Sequence, residues 1–197
     1  MLNSFTLNSK PINGIGFAFE DWTLHLPIER QTVYLLFIGN SEIPIPISSL
    51  QSTLRDNGQS FLQVVVPAAD QYADLLEYGA LLTVKMGFRL ADGSLTELST
   101  IAQVPLQIIR TDESAYSYTA TLSGYAPLHE RNRVQRNLRK VQTRSINQGK
   151  RRVRCEIDLF LRPGSFVRDT DGYIFKVGVI QHFVNVDNEA MEVIEHG

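Results

Sequence analysis

Apolar and polar positions along this chain alternate mostly with a period of two, the spacing of a β-strand with one covered face. Residues 31–38, Gln-Thr-Val-Tyr-Leu-Leu-Phe-Ile, form a β-branched and aromatic run ending at Gly39-Asn40, and they read as a well-buried strand closed by a turn. In Ile43-Pro44-Ile45-Pro46-Ile47 each proline removes a backbone donor that a central ladder would need, so the segment belongs at a sheet edge with its three isoleucines on one face. Further strands are expected over 60–66, stopped by Pro67, and over 80–88, 100–110 and 115–124, with turns at 91–94 and 111–114. In the last of these, Tyr116, Tyr118, Ala120 and Leu122 share a dry face, while Ser117, Thr119, Thr121 and Ser123 share a wet one. One stretch has helical spacing. Ala69, Tyr72, Ala73, Leu75 and Leu76 predict an amphipathic helix of about three turns over 68–78, with Gly79 at its end.

Past Pro127 the pattern breaks into a polar, basic stretch and then returns to strands. These are expected over 140–146, a turn at Asn147-Gln148-Gly149-Lys150, and 151–159, where Val153, Cys155, Ile157 and Leu159 alternate with Arg152, Arg154, Glu156 and Asp158. Arg162-Pro163-Gly164 turns the chain, Asp171-Gly172 marks a hairpin tip, and the run 173–186 is long enough for a strand to need a bulge near Gly178 before 190–194 closes the module. The expected fold is therefore mainly β: two small β-barrel or sandwich-like modules with one short helix. Its parts are an N-terminal arm over 1–30, a first β module over 31–127, a basic connector over 128–140 and a second β module over 141–197.

Composition narrows the functional classes. With 197 residues, 43% hydrophobic and 20% charged, the chain can build a core and is not a disordered polymer. A single cysteine, Cys155, forms no intrachain disulfide, and its place on the dry face of its strand makes it a poor nucleophile. The histidines His25, His129, His182 and His196 stand at no metal-ligand spacing, and Gly14-Ile15-Gly16 lacks the third glycine of a dinucleotide loop. The carboxylates Asp56, Asp92, Asp112, Asp169, Asp171 and Asp187 sit beside turn residues or strand ends, where their side chains bond nearby amides. No catalytic, cofactor or metal residue is thus expected, and the chain is not expected to be an enzyme. No apolar run approaches the roughly 18 residues that cross a bilayer, and 1–16 has no export signal, so synthesis in the cytoplasm and no membrane partner are expected.

The net charge is −2, yet between Glu130 and Arg154 ten Lys and Arg meet a single Glu. Three readings compete for this basic segment. It could be a solvated linker or an edge guarded against stray pairing, a docking surface complementary to the acidic remainder of the same chain, or a phosphate-contacting strip. No aromatic residue interrupts it, so the stacking groups of single-strand binders are missing and nucleic acid is the disfavoured partner. The residues of 1–22 include Leu2, Phe5, Leu7, Ile12, Phe17, Phe19 and Trp22, too apolar an arm to stand free in water. The candidate interface residues are accordingly Phe5, Leu7, Ile12, Phe17, Phe19, Trp22, Arg151, Arg152 and Arg154.

Several stretches resemble a known family. The opening Phe5-Thr6-Leu7-Asn8-Ser9-Lys10-Pro11-Ile12-Asn13-Gly14 resembles the Asn-rich starts of tail-tip and baseplate proteins of tailed bacteriophages. The run from Ile45 to Arg55, then Ser60 to Pro67, a short helix and a strand, is similar to the first barrel of tail hub proteins. Arg144 to Ile146, Gly149 to Cys155, Leu161 to Ser165 and Tyr173 to Val177 look like their second. The resemblance implies a structural component of a virion tail, hub-like and without catalytic residues or cofactors. Two modules would pack about the tail axis in a ring, a trimer favoured, joining the tail tube to the central spike or fibre through contacts with itself and neighbouring tail proteins. A nucleic-acid-binding module using residues 130–154 is the alternative, and an enzyme acting on cell-wall polymer, for which no carboxylate stands out, comes third.

Overall fold

A computed structural model describes residues 31–114, 117–128, 134–185 and 189–197. The arm over 1–30, with Phe5, Leu7, Ile12, Phe17, Phe19 and Trp22, lies outside the described residues, as do Tyr116, His129, Arg131, Arg133 and Asp187. The described chain is mainly β with one short helix, as the periodicity predicts. Its strands are β1 (Gln31–Ile38), β2 (Ile45–Pro46), β3 (Ser49–Arg55), β4 (Gln59–Pro67), β5 (Leu81–Arg89), β6 (Ser99–Pro105), β7 (Ile108–Ser114), β8 (Ser117–Pro127), β9 (Gln135–Asn137), β10 (Thr143–Asn147), β11 (Lys150–Cys155), β12 (Phe166–Arg168), β13 (Ile174–Val184) and β14 (Glu189–Glu195).

They form two sheets. The smaller runs β2-β1-β5-β6. The larger runs β10-β11-β14-β13-β3-β4-β8-β7, with β12 on β13 and β9 beside β12. Each step along the eight-strand path is antiparallel. Neither sheet closes into a barrel among the described residues, so the arrangement is sandwich-like. Leu36, Ile38, Leu82, Val84 and Met86 of the small sheet share one buried cluster with Leu54, Leu62, Val64, Leu122, Val153 and Val193 of the large one. Residues 31–127 and 141–197 meet in the middle of the large sheet, where β3 pairs with β13 from Val179↔Arg55 to Val184↔Leu50.

Several local expectations hold for simple reasons. The alternation from Val153 to Leu159 is buried at every odd position, although only the part to Cys155 is strand. Gln148 and Gly149, at φ 52° and 74°, make the two-residue turn between β10 and β11, a conformation glycine adopts freely. The ladder of β13 shifts register between Val177 and Val179, which is the bulge at Gly178; a Cβ there would lie 2.8 Å from His196 Cα.

Other expectations fail. The amphipathic helix over 68–78 is a 3₁₀ helix over Ala69–Leu75, with only Ala69 buried, because Pro67 still belongs to β4 and Ala68 must turn through φ 49°. The strand over 100–110 is two strands, β6 and β7, which lie in different sheets, and the turn placed at 111–114 is the end of β7 paired to β8. Asp112 is therefore a strand residue. Of the three isoleucines at the edge, Ile45 is fully buried, Ile47 half-buried and Ile43 exposed, since β2 pairs for only two residues and does not hold the alternation beyond them. β1 is buried only at Leu36 and Ile38. Ser123, expected on the wet face, is buried. β10 begins at Thr143 and is exposed throughout.

Candidate interaction surface

The basic hairpin β10–β11 carries its cations on two faces, and alternation decides which. Arg151 falls on the side of Val153 and Cys155, and the register Ile146↔Arg151 and Arg144↔Val153 places Arg144 beside it; Arg152 and Arg154 fall on the opposite side, across from Ile194 and Glu192. The three candidate arginines are therefore not one patch.

Arg151 and Arg144 converge on the turn between β12 and β13. Asp169 is buried and accepts hydrogen bonds from Arg144 Nε at 2.9 Å, Arg144 Nη2 at 3.1 Å, Arg151 Nη1 at 2.7 Å and the Thr170 amide at 2.6 Å. Arg151 Nη1 also reaches Asp171 at 2.7 Å, and its guanidinium lies 4.3 Å from the centre of the Tyr173 ring. Tyr173 donates its hydroxyl to Glu195 Oε1 at 3.0 Å, and Glu195 Oε2 accepts the Arg151 amide at 3.0 Å, which closes the network on β14. Burial pushes the Asp169 carboxyl up, but the bonds from Arg144 and Thr170 and the Arg144 charge outweigh it and hold the group below the ordinary carboxylate value. Asp171 is held low by the Tyr173 amide and by Arg151.

Elsewhere Lys140 donates to Glu156 at 2.8 Å, Arg136 lies 3.9 Å from Asp158 and over the ring of Phe160, and Arg152 lies 3.8 Å from Glu192. Most described cations of the basic segment thus face carboxylates between Glu156 and Glu192 of their own chain. Sequence reasoning explained Asp169 and Asp171 by turn chemistry alone. The signal for their second role was the parity that puts Arg151 with Val153.

What remains open lies at the ends of the large sheet. Every residue of β10 is exposed, including Ile146 at 74%, and at the far end every residue of β7 except Ile109 is exposed, including Asp112 and Glu113. β10 has β11 as its one partner, and β7 has β8, among the described residues. Phe166 and Ile174 stand exposed on the short sheet β9-β12-β13.

For chemistry the inventory is thin. Burial pushes the Cys155 thiol up to about 12, with Asp158 adding to the effect, so it stays protonated. No group of three His, Cys, Asp or Glu able to hold a metal ion occurs among the described residues. No described helix is long and apolar enough to cross a membrane. Asp92 accepts the Ser94 amide at 2.9 Å within its own turn, and Asp56 accepts from Lys176 of β13 at 2.7 Å, which ties the turn after β3 to β13.

No model of a known protein family matches this chain, and no curated protein matches it in sequence. Solved structures match it in shape. Over 83% of this chain and 96% of the other, it is similar to a tail protein from Neisseria meningitidis, with a TM-score of 0.53 at 9% identity. The 43 kDa tail protein of prophage MuSo2 from Shewanella oneidensis is similar over 84% of this chain and 97% of its own, with a TM-score of 0.57 at 6% identity. The chain shares its fold with phage tail proteins. A third structure with this tail-protein fold is an Escherichia coli component of the type VI secretion system, described as structurally similar to the T4 bacteriophage tail proteins gp27 and gp5; it matches over 82% of this chain and 77% of its own, with a TM-score of 0.53 at 6% identity. The likeness read from the order of strands and turns is therefore borne out at the level of the fold.

Proposed function

We propose that this chain is a non-enzymatic structural component of a bacteriophage tail tip or baseplate, located in the virion tail and hub-like. Copies form a ring, a trimer favoured, that joins the tail tube to the central spike or fibre through protein-protein contacts. The observation that carries the reading is the likeness of more than four-fifths of the chain to two tail proteins and a type VI secretion component.

The geometry supplies a route to such a ring. In this reading the modules 31–127 and 141–197, linked by the connector 128–140, are fused along β3 and β13 into one wall whose terminal strands each have one open edge among the described residues. Eight successive antiparallel strands leave β10 and β7 pointing in opposite directions. A neighbour rotated about an axis along the strands can set its β7 against β10 and keep the antiparallel alternation unbroken. Asp112 and Glu113 at one edge then meet a hairpin bearing Lys150 and Arg152 at the other. The apolar arm, with Phe5, Leu7, Ile12, Phe17, Phe19 and Trp22, packs on the adjacent subunit, and Arg152 and Arg154 contribute the charge of the docking edge.

Imaging of tails assembled with and without the chain tests the reading. Tubes lacking their tip are expected in its absence, and complete tips would overturn it. Deleting residues 1–20 should abolish the ring while residues 31–197 keep their fold; normal assembly without the arm refutes its role.

A further inference from the structure

The β3–β13 ladder that joins the two halves of the chain contains a buried pair of polar residues. His182 of β13 is 2% exposed and lies opposite Ser52 of β3, itself fully buried, with Ser52 Oγ and His182 Nδ1 2.9 Å apart. Across the core stands a third polar group, Arg162. Its guanidinium donates to the carbonyls of Leu159 at 2.8 Å, Leu161 at 2.9 Å and Thr100 of β6 at 2.7 Å, so it ties the segment after β11 to the small sheet.

Among the described residues no carboxylate acts on His182. From β3 it meets Ser52, from β14 it meets Met191, and the next position in its row, on β4, is Leu62. Glu189 shares the Met191 face of β14 but accepts the Thr32 hydroxyl at 2.7 Å and acts on Tyr34, while Glu192 lies on the other face opposite Gln181. In the segment after β11, Glu156 and Asp158 act on Cys155, and Arg162 is the charge that acts on His182.

We propose that the β3–β13 seam is an acid-weakened joint, in which uptake of a proton by His182, buried between Ser52 and Met191, raises the population of chains opened along this ladder. Burial, and then the charge of Arg162, push the imidazole down from its ordinary 6.5 to about 4. A depressed imidazole contributes stability in full above about pH 6.5 and loses it as the pH falls toward 4, because only the opened seam takes up the proton over that range. With these two values the opened form gains about 30-fold in population at pH 5 relative to pH 7.5. The proposal stands on the seam alone and holds whether or not the chain builds a ring.

Hydrogen exchange of the full chain at pH 7.5 and pH 5, corrected for the intrinsic pH dependence of amide exchange, tests it. Amides of β3 and β13 should lose about 30-fold in protection at pH 5, those of β1 and β5 should lose less, and His182→Gln should remove the dependence. If that variant does not fold, the unaltered protein decides: His182 ring signals that titrate near 4 together with loss of protection confined to β3 and β13 support the joint. Titration near 6.5, unchanged protection of the seam, or equal loss in every strand would overturn it.

Discussion

The two ends of the large sheet are held by opposite means. At the β7–β8 end the backbones themselves touch: Gly124 of β8 lies so close under β6 that a Cβ on it would come within 2.0 Å of the Pro105 carbonyl oxygen, and no ion pair is seen there among the described residues. At the β10–β11 end the strand is exposed along its whole length, and ionic side chains tie the hairpin to the β12–β13 turn. One end is fixed by the absence of a side chain, the other by two arginines on one buried carboxylate. A run of positive charge therefore says little about partners until its own chain's carboxylates have been placed. Here the basic hairpin supports the wall it belongs to, while the acidic β7 edge keeps Asp112 and Glu113 turned to solvent.

Substitutions at each end should separate the two mechanisms. The largest effect is expected from Gly124→Ala, where the carbonyl in the way is backbone and cannot rotate aside; a loss of about 3 kcal/mol or more in chemical denaturation is predicted. Next is Asp169→Ala, which takes the carboxylate from Arg144 and leaves Arg151 with Asp171 alone. Because Arg144 is 40% exposed and water can reach it, about 2 kcal/mol is predicted rather than the larger cost of a fully buried pair, with exchange protection lost first in β10. Arg151→Glu should likewise lower the melting temperature, whereas Arg152→Glu, on the other face, should change it little and act on assembly.

A pH series sharpens the same contrast. The Asp169 and Asp171 carboxyls are held below their ordinary value of 3.8, so their contribution is present above that value and is lost as the pH falls below it. Melting curves between pH 5 and pH 2.5 should fall more steeply for the unaltered protein than for Asp169→Asn. The smallest effect on stability, within about 0.5 kcal/mol, is expected from Asp112→Lys with Glu113→Lys on the exposed β7 edge. That pair should nonetheless abolish self-association. If it destabilises the fold instead, the edge has an internal role.

How much of this was legible beforehand depended on whether local pattern or distant pairing decided the matter. The alternation through Val153 and Cys155, the turn at Gln148-Gly149 and the bulge at Gly178 were readable, because each is set by neighbours in sequence. β3 was not, since Ser49-Leu50-Gln51-Ser52-Thr53-Leu54-Arg55 is too polar to read as a central strand; its inward Ser52 finds its side-chain partner in His182, 130 positions away. The helix over 68–78 failed because apolar spacing says nothing of how the chain leaves β4 at Ala68. The trio Arg151, Arg152 and Arg154 was visible as charge, but its division between two faces became meaningful only once Asp169 was placed.

The central claim is that these surfaces exist to be covered by further copies of the chain, and the mass of the purified full-length protein by sedimentation equilibrium tests it most directly. A closed assembly of three chains is predicted, reduced to single chains when Asp112 and Glu113 are reversed. A stable monomer at every concentration, unaltered by that reversal, would contradict it.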